Sequence, residues 1–205
     1  MFTGIVQGQA KVVDIKGDDK HKTFTFEFPE ESLLKLQTGA SIAINGTCLT
    51  VTSFTQHLNQ ASFDAIQETL TVTNLQSLNI NSLVNYERAA TVGDEIGGHI
   101  MSGHIQGTCK VTRLEKTPEN CTIFFSYPPK FQKYLLPKGF VGINGCSLTL
   151  GETIDSEFCV HLIPETLKVT GFGECKVGVM FNLEIDNQTQ TIVDTVERVL
   201  SIKKT

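Results

Sequence analysis

The block Asn45-Gly46-Thr47-Cys48-Leu49-Thr50-Val51 returns 99 residues later as Asn144-Gly145-Cys146-Ser147-Leu148-Thr149-Leu150. The same offset carries Thr3-Gly4-Ile5-Val6-Gln7-Gly8 onto Ser102-Gly103-His104-Ile105-Gln106-Gly107, and Phe28-Pro29 onto Tyr127-Pro128. Further along it shortens to 97, matching Glu68-Thr69-Leu70 to Glu165-Thr166-Leu167 and Asn85-Tyr86-Glu87 to Asn182-Leu183-Glu184. Blocks repeated in the same order mean one module used twice, and each copy is large enough to close a core of its own. The expected organisation is two modules, residues 1–97 and 98–190, with a tail at 191–205.

Each module reads as β. Phe24-Thr25-Phe26-Glu27-Phe28 alternates strictly and Thr122-Ile123-Phe124-Phe125-Ser126 more loosely. Asn-Gly opens a tight turn in both copies, followed at once by a Leu-Thr-Val or Leu-Thr-Leu strand. Short strands with glycine-marked turns suit a small closed barrel, which leaves no exposed sheet edge. One short helix per module is expected at Pro29–Leu36 and Pro129–Leu136. In the tail, Ile192, Val193, Val196, Val199 and Leu200 form the stripe of an amphipathic helix, with Arg198, Lys203 and Lys204 placed to complement its dipole.

Composition narrows the classes of function. A formal net charge of −5 gives no basic surface for nucleic acid. The absence of Trp, with only 3 Tyr, removes the stacking platforms that oligonucleotide- or sugar-binding barrels use. No uncharged run is apolar enough to span a bilayer, and Met1–Ala10 has no secretory pattern, so a cytoplasmic protein is expected. The 6 cysteines form no C-x-x-C pair and no zinc spacing; all but Cys48 are expected to be reduced, buried side chains.

What the copies share describes a common ligand, and what they do not share locates specialised chemistry. On a strand, Cys48 and Thr50 face one way, as do Ser147 and Thr149, while Leu49, Val51 and their equivalents face the other. Ile5 in the first copy is His104 in the second, Cys48 is Ser147, and Asp64 is His161. Imidazole, thiol and hydroxyl are the groups of nucleophilic and acid–base catalysis. Similar pockets with unequal reactive groups suit a reaction in which two like molecules play different parts.

Met1-Phe2-Thr3-Gly4-Ile5-Val6-Gln7-Gly8, Asn45-Gly46-x-Cys48-Leu49-Thr50-Val51, Asp94-Glu95-Ile96-Gly97-Gly98-His99-x-Met101-Ser102-Gly103-His104-Ile105, His161-Leu162-Ile163-Pro164-Glu165-Thr166-Leu167 and Val193-Asp194-Thr195-Val196-Glu197-Arg198-Val199-Leu200 resemble the riboflavin synthase family across essentially the whole chain. The resemblance implies two six-stranded antiparallel Greek-key barrels and a C-terminal helix that assembles a homotrimer. It implies dismutation of two 6,7-dimethyl-8-ribityllumazine molecules to riboflavin and 5-amino-6-(ribitylamino)uracil, with no metal or organic cofactor, and points to lumazine synthase as a protein partner. In the family, the site lies between the first barrel of one subunit and the second barrel of its neighbour.

Carried over residue by residue, the first module's pocket is Gly4, Ile5, Val6, Cys48, Leu49, Thr50, Asp64, Ala65, Ile66, Gln67, Glu68 and Thr69. The second is Gly103, His104, Ile105, Lys138, Ser147, Leu148, Thr149, His161, Leu162, Ile163, Pro164, Glu165 and Thr166. The resemblance places Phe2 and Asp186 near the chemistry. The roles expected are His104 as proton shuttle, Cys48 or Ser147 (or a bound water) as nucleophile, and Asp186 as the group that orients one of them. Thr47 and Cys146 depart from the family pattern and are expected off the reactive face. A non-catalytic lumazine- or flavin-binding protein of the same fold is the alternative. Against it stand the polar strand faces in both copies, together with His99, His104 and His161 in the second.

Overall fold

Of the two-residue hairpin turns that match the twist of their strands, the type I′ form puts both central residues at positive φ. Asn45 and Gly46 adopt 45° and 80°, and Asn144 and Gly145 adopt 44° and 81°. The computed structural model describes residues 1–117 and 120–202. Around the first turn, β1 (Gly8–Gly17), β2 (His21–Glu27), β3 (Ser41–Ile44), β4 (Thr47–Thr55), β5 (Gln60–Ile66) and β6 (Leu83–Arg88) close an antiparallel barrel in the order β1-β2-β5-β4-β3-β6. The strands β7 (Gly107–Lys116), β8 (Cys121–Ser126), β9 (Phe140–Ile143), β10 (Cys146–Ile154), β11 (Glu157–Leu162) and β12 (Met180–Ile185) repeat that order in a second barrel. Even the irregularities recur. Register shifts at Val12/Asp14 and Val51/Ser53 return at Val111/Arg113 and Leu150/Thr153, bending strands where a small barrel must curl.

The alternation read from the sequence sorts inside from outside. Phe24 and Phe26 on β2 are fully buried and pack with Phe63; Ile123 and Phe125 on β8 do the same beside Phe158. Each such side chain contributes about 1.5–3 kcal/mol by leaving water. On β4 and β10, Leu49, Val51, Leu148 and Leu150 enter the cores, while Cys48 and Ser147 are half-buried and Thr50 and Thr149 exposed on the outer face. Five cysteines are buried, Cys48 is half-buried, and all are free thiols.

Three expectations need correction. In place of a helix at 29–36, residues 30–35 form consecutive turns, because Glu31 and Lys35 take positive φ (65° and 57°), which a helix does not accommodate. Their counterpart is a 3-10 helix at Pro129–Tyr134. Two short helices not foreseen, α1 (Gln67–Val72) and α2 (Pro164–Val169), follow β5 and β11. The tail helix, α3, begins earlier than expected and spans Asn187–Ile202; Lys203 and Lys204 lie outside the described residues. No helix among the described residues is long and apolar enough to cross a membrane.

The barrels meet at their Asn-Gly turns. Asn85 Nδ2 donates to Asn144 O and Asn182 Nδ2 to Asn45 O, both at 2.9 Å. These four asparagines are all buried, so the reciprocal bonds satisfy groups that water cannot reach. Gly46 and Gly145 stack so closely that a Cβ on Gly46 would lie 2.6 Å from the Gly145 amide nitrogen.

Candidate functional site

A strap precedes the first strand of each module: residues 3–7 and residues 102–106. Glu87, on β6, holds the first strap. Its carboxylate accepts from Thr3 N at 2.6 Å, Thr3 Oγ1 at 2.8 Å and Gly4 N at 3.1 Å. Glu184, on β12, holds the second through Ser102 N at 2.7 Å, Ser102 Oγ at 2.9 Å and Gly103 N at 3.2 Å. Burial raises both carboxyl pKa values, and the hydrogen bonds from Thr3 and Ser102 work against that rise.

Each strap is anchored on its own barrel but lies on the other. Ser147 N donates to Gly4 O at 2.8 Å, Cys48 N donates to Gly103 O at 2.9 Å, and Val6 joins the core of the second barrel. Residues 4–6 therefore sit with Ser147 and residues 103–105 with Cys48, the reverse of the grouping by module. The cause is the antiparallel pairing of Phe2 with Met101, N–H to O at 2.9 Å in both directions, which carries each chain past the pseudo-twofold axis. Glycine is required at both crossings. Gly4 and Gly103 have φ of 74° and 80°, and an added Cβ would fall 2.4 Å from Ser147 Cβ or 2.6 Å from Cys48 Cβ.

The strap over the second barrel encloses a pocket of ≈ 270 Å³, lined by Gly4, Ile5, Val6, Cys146, Ser147, Ile163, Glu165, Thr166, Val169 and Thr170. Cys146 also borders the pocket, but its side chain is buried in the barrel core, alternating along β10 with Ser147. Burial pushes its thiol up to about 12, which leaves it protonated and inert at neutral pH.

Ser147 Oγ lies 2.7 Å from His99 Nδ1 and accepts from the His99 backbone N–H at 3.1 Å. With that N–H filling one acceptor position, the hydroxyl proton is free to point at Nδ1. The His99 ring is stacked on Phe140 with centroids 5.0 Å apart. Burial lowers the His99 pKa, opposed by the Asp186 charge, so the ring is neutral at pH 7 and can accept a proton. Its Nε2 is buried with no partner among the described residues. Asp186 caps α3, accepting from Thr189 N at 3.0 Å and Thr189 Oγ1 at 2.7 Å. Burial would raise its pKa, but the bonds from Thr189 and Gln188 and the nearby His99 prevail and lower it.

The remaining candidates fall into two groups. His104 is exposed on the strap over Cys48, and Phe2, 2% exposed, packs on Cys48, Ala43 and Met101. Asp64 accepts from Thr23 at 2.6 Å, and at the equivalent place His161 Nδ1 lies 2.9 Å from Thr122 Oγ1. Ile66 and Ile163 are exposed, Gln67, Glu68 and Thr69 open α1, Pro164, Glu165 and Thr166 open α2, and Lys138 is exposed at φ 67°. Leu49, Ala65, Leu148 and Leu162 face the barrel cores, so only their backbone can meet a ligand. Ile105 is half-buried on its strap.

Sequence reasoning assigned no role to His99, Glu87 or Glu184. The repeat offset of 99 sets His99 against a position before Met1, so comparing the copies could not single it out. The two glutamates were visible as a carboxylate kept at the same place in both copies.

Two closed barrels that trade straps and present a hydroxyl in one copy and a thiol in the other define a duplicated tandem-barrel protein. The lumazine binding domain family matches the chain twice, over residues 3–89 and 102–186. Among curated proteins, riboflavin synthase of Escherichia coli (strain K12) is 51% identical over 205 residues, covering 100% of this chain and 95% of that protein. Riboflavin synthase of Buchnera aphidicola subsp. Schizaphis graminum is 43% identical over 203 residues, covering 98% and 96%. Among solved structures, LumP complexed with 6,7-dimethyl-8-(1'-D-ribityl) lumazine matches with a TM-score of 0.81 at 26% identity, covering 91% of this chain and 100% of that chain. The chain belongs to the lumazine-binding family and, within it, to the riboflavin synthases.

Proposed function

We propose that this chain forms riboflavin by dismutation of two 6,7-dimethyl-8-ribityllumazine molecules, one at each site where a strap crosses a strand. The observation that carries this reading is the inequality of two equivalent sites. One has Ser147 bonded to a buried neutral imidazole, and the other has Cys48 beneath the strap that bears His104. A dismutation needs like pockets with unlike reactive groups. The 51% identity to a riboflavin synthase and the lumazine bound by a structural relative point the same way.

The substrate's 7-methyl group is a carbon acid, because its anion delocalises into the ring. A base must take that proton, and the anion must add to an electrophilic ring carbon of a second molecule other than the one that takes the oxygen nucleophile, after which the second molecule gives up a four-carbon unit and leaves as 5-amino-6-(ribitylamino)uracil. Holding both rings in register supplies much of the acceleration, up to about 7–11 kcal/mol in well-oriented systems. His99 holds or releases the Ser147 proton at Nδ1, leaving Ser147 Oγ to add at C7 or to steady a water that does. Asp186 sets the charge around His99, and His104 serves proton transfer at the Cys48 site. Exposed Thr50, Thr149 and Lys138 bind the ribityl chains.

The modules at 1–97 and 98–190 act together in a homotrimer. The apolar stripe of α3 supports this, with Ile192, Val196, Val199 and Leu200 all exposed while Lys133 and Tyr134 hold the polar face through Asp194. Association with lumazine synthase and a cytoplasmic location fit an enzyme that consumes that product. Mixing the protein with the lumazine, with no metal added, should produce riboflavin absorbance. Binding without conversion would reject the enzyme in favour of a lumazine-binding protein.

A further inference from the structure

Glu87 and Glu184 are 3% and 1% exposed, and neither forms a salt bridge among the described residues, although the N-terminal amine acts on Glu87 and His104 on Glu184 at longer range. A buried carboxylate with no ion pair in contact is costly unless hydrogen bonds satisfy it. Here the donors come from one short strap each, and all are backbone amides or a hydroxyl in a two-residue span. Such a claw fixes the peptide planes on either side of it. The next group along the backbone is the carbonyl of Gly4 or Gly103, and that carbonyl meets the amide of the residue bearing the reactive oxygen or sulfur on the opposite barrel.

We propose that Glu87 and Glu184 are positioning residues that act crosswise: Glu87, on the first barrel, sets the Ser147–His99 pair of the second, and Glu184, on the second barrel, sets Cys48 of the first. The chain of contacts is short and continuous. Glu87 holds Thr3 and Gly4; Gly4 O receives Ser147 N; Ser147 Oγ meets His99. Thr3 O adds a second link, since a Cβ on Gly98, the residue before His99, would lie 2.4 Å from it. On the other side, Glu184 holds Ser102 and Gly103, Gly103 O receives Cys48 N, and Gly103 lies directly against the Cys48 side chain.

A carboxylate offers four lone pairs to these donors, and glutamine turns one oxygen into an NH2 that confronts an N–H. Glu→Gln therefore keeps size and burial while forcing the claw open. The proposal rests on the two-site reading above, but its test needs no turnover. Cys48 is the one cysteine that is not buried, so alkylation by iodoacetamide reports the first-barrel site. The imidazole resonances and titration of His99, followed by NMR, report the second.

Glu184→Gln should speed Cys48 alkylation about tenfold and leave His99 unmoved. Glu87→Gln should shift the His99 signals and its titration while leaving Cys48 alkylation within about twofold of wild type. If either variant fails to fold, Thr3→Val and Ser102→Ala each remove one bond to the same carboxylates and should show the same crossed pattern in weaker form. Effects on the variant's own barrel, on both sites alike or on neither overturn the proposal. A wild-type chain that makes no riboflavin would instead overturn the proposed activity and leave the crossed pattern intact.

Discussion

Replacing Gly46 by alanine tests the seam between the barrels, and with it the crossed construction of the sites. Two costs are separable. Gly46 has φ of 80°, and a Cβ in that region costs about 1–2 kcal/mol wherever it occurs. The new Cβ would also fall 2.6 Å from the Gly145 amide nitrogen and 2.9 Å from its Cα. Both are backbone atoms with no rotamer to change, so the turns must separate, at the cost of about 1–3 kcal/mol typical of an overpacked core. Gly39 is the internal control: its φ is 88°, but nothing lies within 4 Å of its Cβ position. Gly39→Ala should therefore lose about 1–2 kcal/mol and Gly46→Ala about 2–5 kcal/mol. With no tryptophan in the chain, urea unfolding is best followed by far-UV circular dichroism. Because both sites depend on how the barrels meet, Gly46→Ala should also slow riboflavin formation, whereas Gly39→Ala should not. Equal losses of stability in the two variants would refute the turn-to-turn contact.

The lowered His99 pKa makes a prediction for pH. The neutral ring accepts from Ser147, and its pKa lies below 6.5, so the rate should hold down to that pH and fall only beneath it; a loss centred above pH 7 would reject this role. The same sign applies to stability: the unfolded chain takes up the proton first, so this group's contribution is lost as pH falls through 6.5 towards the folded value. His104→Ala should depress turnover far more than Ile5→Ala with lumazine binding kept in both, and equal losses would mean His104 only packs. Val196→Asp, which puts a charge on the exposed stripe of α3, should break the proposed trimer into smaller species in sedimentation and cut activity with it. A fully active monomer would place the whole reaction within one chain.

The barrels were legible because local chemistry decides them: Asn-Gly at a two-residue turn and phenylalanines alternating with threonine speak for β2, β4 and their copies without reference to distant residues. The crossing of the straps was not. A repeat offset states which residues are equivalent, and that equivalence is identical whether Gly4 rests on Cys48 or on Ser147. Only the pairing of Phe2 with Met101, 99 positions apart, distinguishes the two arrangements. Helices α1 and α2 escaped notice for a different reason: six residues make fewer than two turns, too few for a helical period to emerge. The stripe of α3 was readable because it recurs over more than two turns within a helix of 16 residues.

The exchanged straps also decide how such a chain could be recombined. The linker near residue 97 looks like the natural place to join halves of two relatives. A graft made there would lay the foreign strap across the resident strand, and the resident strap across the foreign one. To transplant the Ser147 site as a unit, residues 1–7 would have to travel with the second barrel, while residues 102–106 stayed behind with the first. For the same reason neither copy is free to drift after duplication. A substitution in one strap is felt first in the other copy's site, so the duplicated halves remain bound to a shared history.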